Sequence, residues 1–140
     1  MLVVGIDPDS DRHGVAVYED GKLVRLAMMR RNEIIDEFRY SDCLFSIEDV
    51  AIDNFVYAKN KSNKLNLNAH KGRTLGLCQQ AQKELMRDLD HYSVPYVLHK
   101  PSKMWKNDKK QFQLVTGWKK SGNEDTRSAA YFGYLEASKK

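Results

Sequence analysis

Leu2-Val3-Val4-Gly5-Ile6-Asp7-Pro8-Asp9-Ser10-Asp11-Arg12-His13-Gly14-Val15-Ala16-Val17-Tyr18 is the stretch whose reading decides the fold. Leu2, Val3, Val4 and Ile6 form an apolar, β-branched run that reads as a buried strand, and it ends on Asp7, a carboxylate at the strand's C-terminal tip. Pro8-Asp9-Ser10-Asp11 has turn composition. Gly14 to Tyr18 is a second apolar run, and Gly21 within Glu19-Asp20-Gly21-Lys22 turns the chain into a third, Leu23 to Met28. The stretch predicts a β-meander with an acid fixed at the end of its first strand, a place to hold a metal ion. The same acid in the same position can also simply cap a turn.

At 140 residues the chain is one domain with room for a core that needs no staples. A net charge of +4 and a pI near 9.0 suit an acidic partner such as nucleic acid. Cys43 and Cys78 lie in apolar surroundings without CxxC or Cys/His ligand spacing, so they read as reduced core residues of a cytosolic protein, and zinc is not expected. No apolar segment is long enough to cross a bilayer, and the N-terminus lacks a basic region followed by an apolar one. The expectation is a cytoplasmic protein with no membrane partner.

Arg30 to Phe45 reads as a helix with Ile34, Ile35, Phe38 and Leu44 toward the core and Glu33, Asp36, Glu37 and Arg39 toward water. Val50-Ala51-Ile52 reads as a short buried strand ending on Asp53, with Glu48 and Asp49 in a solvated connection before it. Ser62 to Tyr92 is the longest helical pattern, with Leu75, Cys78, Ala81, Leu85 and Leu89 at three- and four-residue steps. Gly72 and Gly76 are spaced for a close backbone approach, most simply against the sheet. Val94 to Leu98 is a further strand, and a basic, aromatic-punctuated segment follows from His99 to Lys106 and on through Lys109, Lys110, Trp118, Lys119 and Lys120. The last helix opens at Ser121-Gly122-Asn123-Glu124-Asp125, where Ser121 and Glu124 have capping-box spacing. In its first turn Asp125 projects with Ser128 and Ala129, small enough for that face to lie close to a sheet.

Asp7, Asp53 and Asp125 therefore arrive from two strand ends and one helix start. Like charges gathered this way are tolerable around a hard cation, and Mg²⁺ or Mn²⁺ takes oxygen donors. Two such ions, the expected number per site, are suited to phosphodiester cleavage.

Gly5-Ile6-Asp7-Pro8-Asp9-Ser10 followed by Gly14-Val15-Ala16-Val17 resembles the opening motif of the RuvC-type Holliday junction resolvases of the RNase H-like superfamily. Ala51-Ile52-Asp53-Asn54-Phe55-Val56-Tyr57-Ala58-Lys59-Asn60 is similar to that family's Ala-Ile-Glu-Gln stretch and trailing Ala-Lys-Asn, and Glu124 to Ala130 to the acid-bearing start of its last helix. The resemblance covers nearly the whole chain. It implies an α/β domain: an RNase H-like mixed β-sheet, antiparallel meander then parallel strands, flanked by α-helices. It also implies a metal-dependent nuclease that cuts branched DNA, four-way junctions above all, as a homodimer making paired nicks. By position Asp7 is the acid bridging both metals, Asp53 the second-strand acid and Asp125 the first acid of the last helix.

The chain departs from the family in two places. Ser128 stands where the family's helix commonly carries a further acid, so Glu124 substitutes or the site has one carboxylate fewer. Glu48 is the alternative ligand if the second strand is displaced. The short spacing between the first two acids suits a phage-encoded relative, hence the cytoplasm of a bacterium or of a phage-infected host.

Lys59, Lys61, Lys64, Lys71 and Arg73, with Lys100, Lys103 and Lys106, form two basic runs that border the acids and can hold phosphates. Each lysine alone reads equally as a solvated charge. Phe55, Tyr57 and Trp105 are candidates for stacking on bases, with core packing the simpler reading. The competing readings are an RNA-processing nuclease of the RuvX/YqgF type and a catalytically inactive binder of branched DNA. An actin-like ATPase needs a second domain that this length does not provide.

Overall fold

The computed structural model describes residues 1–51 and 65–139, with side chains from residue 75 onward in the second stretch. The chain runs β1 (Leu2–Asp7), β2 (His13–Glu19), β3 (Lys22–Met29), α1 (Arg31–Phe38), β4 (Cys43–Glu48), α2 (Leu65–His91), β5 (Tyr96–His99), α3 (Lys109–Thr116) and α4 (Glu124–Ala137). One five-stranded sheet has the order β3-β2-β1-β4-β5. β1, β2 and β3 pair antiparallel, and β4 joins β1 and β5 in parallel. This is the mixed sheet, antiparallel meander then parallel strands, that the resemblance implies. Its meander turns tightly because Asp20 (φ 51°) and Gly21 (φ 81°) both take the positive φ that a two-residue hairpin turn with the right twist requires.

Helices cover both faces, which is why β1 and β2 read as unbroken apolar runs. On one face Val4, Ile6, Val15 and Val17 meet Ile34, Ile35 and Phe38 of α1 and Leu85 and Leu89 of α2. On the other, Val3, Ala16 and Tyr18 meet Ala129 and Ala130 of α4, with Trp105 and Phe112 completing the layer. α4 crosses β1 in backbone contact. A Cβ on Gly5 would lie 2.0 Å from the Ala129 carbonyl oxygen, so glycine is what permits the crossing. The Tyr18 hydroxyl donates to the Ala130 carbonyl and the Ser46 hydroxyl to the Phe132 carbonyl, each at 2.6 Å, and together they fix the helix to β2 and β4, on either side of β1.

The middle of the chain differs from its sequence reading. The helix expected over 30–45 stops at Phe38, and the described strand here is Cys43–Glu48; of the expected strand Val50-Ala51-Ile52, Val50 and Ala51 lie in a turn and Ile52 is outside the described residues. Alternation explains it: Cys43, Phe45 and Ile47 are buried on the α1 and α2 side, while Ser46 turns to α4. Phe45 packs edge-on to Phe38 at 5.8 Å. Leu44 thus belongs to the strand. Val50 and Ala51 lie in the turn that follows, where Gln82 of α2 accepts from the Val50 N–H at 2.8 Å and Gln79 donates to the Val50 carbonyl at 3.2 Å.

The last helix is capped by Asn123 with Thr126, not by Ser121 with Glu124. A Cβ on Gly76 would meet nothing within 4 Å, so no backbone approaches it among the described residues. α3 adds a helix inside the basic segment, between an Asp108 cap and Gly117 in the left-handed conformation. Both cysteines are free. No helix among the described residues is long and apolar enough to cross a membrane.

Candidate active site

β1 and β4 run parallel with Ile6 opposite Ile47, so the next residues, Asp7 and Glu48, emerge side by side at the same sheet edge. Asp7 is buried, at 5% exposure. The Glu48 carboxyl is its neighbour across the parallel pair, close enough for each to bear on the other's titration. α4 brings Asp125. Its first turn sits directly on β2, where a Cβ on Gly14 would lie 2.3 Å from the Asp125 carbonyl oxygen. Ser128, one turn further along α4, is buried beside Asp7.

A cation from a fourth segment completes the cluster. Lys106, between β5 and α3, places Nζ 3.5 Å from Asp7 Oδ2 and 3.5 Å from Asp125 Oδ1. Arg127 grips the backbone of that segment, its Nε donating to the Trp105 carbonyl and its Nη2 to the Lys106 carbonyl, both at 3.0 Å.

Burial pushes the Asp7 carboxyl up from the usual range, an effect partly offset by Lys106. Burial, followed by the adjacent Asp7 charge, pushes Glu48 up to about 8. Near neutrality Glu48 therefore keeps its proton. For Lys106, burial acts to release the proton, but the carboxylates of Asp7, Asp125 and Glu48 outweigh it and raise the ammonium's pKa.

Among the described residues no three acidic, histidine or cysteine side chains already enclose an ion position, and the Lys106 ammonium spans Asp7 and Asp125 instead. The residues nevertheless suit a hard divalent cation. Their donors are all oxygens, Asp7 Oδ2 is buried without a hydrogen-bond partner, and two crowded carboxyls need more positive charge than one ammonium brings.

Of the acids singled out by sequence, Asp7 and Asp125 are brought together, and Glu48, the alternative ligand, stands beside Asp7. Asp53 lies outside the described residues. Glu124 is exposed at the helix start and makes no contact with the cluster among the described residues. Of the basic residues, Lys106 is in the site, and Lys100 and Lys103 are exposed on the same connection. Lys59, Lys61 and Lys64 lie outside the described residues, as do the side chains of Lys71 and Arg73 on α2. Phe55 and Tyr57 are likewise outside them. Trp105 is core, edge-on to Phe112 and Tyr131 at 5.6 Å each. Lys106 as a carboxylate partner and Arg127 as a backbone clamp were not foreseen, because both roles depend on contacts distant in sequence.

No family model matches the chain, and no curated protein does. The mixed sheet and its flanking helices match a RuvC/RNase H-like fold. Thermus thermophilus RuvC in complex with a Holliday junction substrate superposes with a TM-score of 0.58 at 16% identity, covering 98% of this chain and 93% of that one. Thermus thermophilus RuvC alone gives 0.57 at the same identity and coverage. At this identity the likeness is one of fold.

Proposed function

We propose that this chain is a divalent-metal-dependent endonuclease that cuts branched DNA, four-way junctions foremost. The observation that carries the reading is the convergence of Asp7, Glu48, Asp125 and Lys106 at one sheet edge of a RuvC-like fold. Asp7 and Asp125 would hold Mg²⁺ or Mn²⁺, with Glu48, at the end of β4, as the second-strand acid and Asp53 as the alternative. Bound there, two ions supply an activated water and positive charge for the departing 3′ oxygen.

The chain's own residues do the rest. Asp7 and Glu48, set side by side by the parallel register, would present their carboxyl oxygens to such an ion. Ser128, buried beside Asp7, would offer its hydroxyl to the Asp7 carboxylate. Lys100 and Lys103, both exposed beside the cluster, and Lys106 within it hold backbone phosphates. Glu124 is a reserve ligand at the helix start. Paired nicks across a junction need two such sites, hence a homodimer acting in the cytoplasm of a bacterium or of a phage-infected cell.

The test incubates labelled four-way junction, linear duplex and structured RNA with Mg²⁺ or with EDTA and maps any cuts. Symmetric Mg²⁺-dependent nicks confined to the junction are expected. Cleavage of RNA would move the protein to the RNA-processing reading, and tight junction binding without cutting would make it an inactive binder.

A further inference from the structure

We infer that Lys106 is a built-in counter-cation of the carboxylate cluster and that Arg127 is the positioning residue that holds it there; the inference rests on reading the cluster as a divalent-cation site. A lysine on an irregular connection ordinarily extends into water. Here the segment is fixed from two sides. Trp105 is buried against Phe112, Tyr131 and Tyr134, and Arg127 binds the carbonyls of residues 105 and 106 with two separate N–H groups. Among the described residues the Arg127 guanidinium forms no ion pair, so its donors serve the backbone. The rigid planar fork of arginine suits that double grip, which a lysine cannot reproduce.

α4 thereby supplies both Asp125 and, two residues later, the clamp that delivers the ammonium to it. With Nζ 3.5 Å from both Asp7 and Asp125, Lys106 stands where a cation shared by those two carboxylates would stand. Without an ion it keeps the buried acids from repelling one another. An arriving ion must displace it, and the freed ammonium remains at the rim of the site, where a phosphate approaches.

The test uses the full chain and two readouts. The first is lysine acylation resolved by mass spectrometry, in EDTA and in Mn²⁺. The second is Mn²⁺ affinity by calorimetry. In EDTA Lys106 is expected to react roughly tenfold more slowly than exposed Lys100 and Lys103, and Mn²⁺ is expected to speed it. Arg127→Gln is expected to speed Lys106 severalfold and leave Lys100 and Lys103 unchanged; Arg127→Lys, the milder change, is expected to fall between. Lys106→Gln is expected to bind Mn²⁺ on the order of tenfold more tightly, since a charge at this distance shifts carboxylate affinity by about one to three decades.

Equal labelling of Lys106 and Lys100 in EDTA overturns the inference, as does a Lys106→Gln chain that binds Mn²⁺ no more tightly than the wild type. If neither chain binds Mn²⁺, the divalent-cation reading fails, and labelling in EDTA decides the remainder: protection of Lys106 that Arg127→Gln abolishes sustains the counter-cation, and equal labelling removes it.

Discussion

His13 makes the fold acid-sensitive, and the size of the effect follows from where the side chain sits. It opens β2, is 2% exposed, and uses Nδ1 to accept the Asp9 N–H at 3.2 Å, so the native imidazole is neutral. Burial, assisted by Arg31, pulls its pKa from 6.5 down to about 4, against a smaller opposing pull from Asp9. In the unfolded chain the same ring protonates near its ordinary value. Between about 6.5 and about 4 the unfolded state therefore binds a proton that the folded state refuses, and stability falls as pH falls through that window. At about 1.4 kcal/mol per unit, the loss is about 2 kcal/mol near pH 5 and about 3 kcal/mol below pH 4. His13→Asn keeps an acceptor near the Nδ1 position and cannot titrate. Urea unfolding of both chains from about pH 7.5 to pH 4 is the assay, because the difference between them cancels the titrations they share, including that of Glu48, which runs the other way. The wild type is expected to lose about 3 kcal/mol relative to the variant across the range. Parallel profiles would refute the assignment of a buried, neutral His13.

Asp7→Asn is expected to lower Mg²⁺-dependent cutting by roughly a thousandfold or more while junction binding in gel shifts stays nearly unchanged, and retained cutting would remove the site assignment. Glu48→Gln and Asp53→Asn separate the two candidates for the second-strand acid. The first is expected to abolish cutting and, by removing a carboxyl that must take up a proton to fold near neutrality, to stabilise the protein in EDTA by about 1 kcal/mol or more; activity lost only in Asp53→Asn would reverse the choice. Gly14→Ala pushes a Cβ into the Asp125 carbonyl. A cost of about 1–3 kcal/mol in chemical melts is expected, with activity reduced even where the chain is folded.

The antiparallel half of the fold was legible because two local signals coincide there: apolar runs flanked by turns, and an Asp-Gly pair suited to positive φ. β4 was not. Residues 30–45 carry a helical spacing through Leu44, and Val50-Ala51-Ile52 looks more strand-like in isolation than Cys43 to Ile47 with Ser46 at its centre. Pairing decides the matter: Phe45 and Ile47 must face the α1 and α2 core while Ser46 meets the Phe132 carbonyl, and both partners are remote in sequence. α3 did leave a signal, Asp108 at its start and Gly117 at its end, inside a run whose lysines drew the reading toward charge instead. The acids Asp7 and Asp125 were readable as ends of elements. Lys106 was readable only as one of several lysines, since nothing in the sequence tells a surface ammonium from one drawn between two carboxylates by a distant arginine.

The same charge balance accounts for Ser128. Three carboxyl groups meet at the sheet edge around one ammonium, and the balance is already tight enough that Glu48 is pushed up to about 8. Residue 128 is buried beside Asp7, one turn along α4 from Asp125. An aspartate there would add a further buried negative charge with no further cation among the described residues to meet it, and burying an unpaired carboxylate costs several kcal/mol, on the order of 3–5. Serine provides a polar neighbour for Asp7 without the charge. Read this way, the departure at 128 and the placement of Glu48 beside Asp7 are one arrangement: the chain holds as many acids at this edge as Lys106 can keep folded before a metal ion arrives.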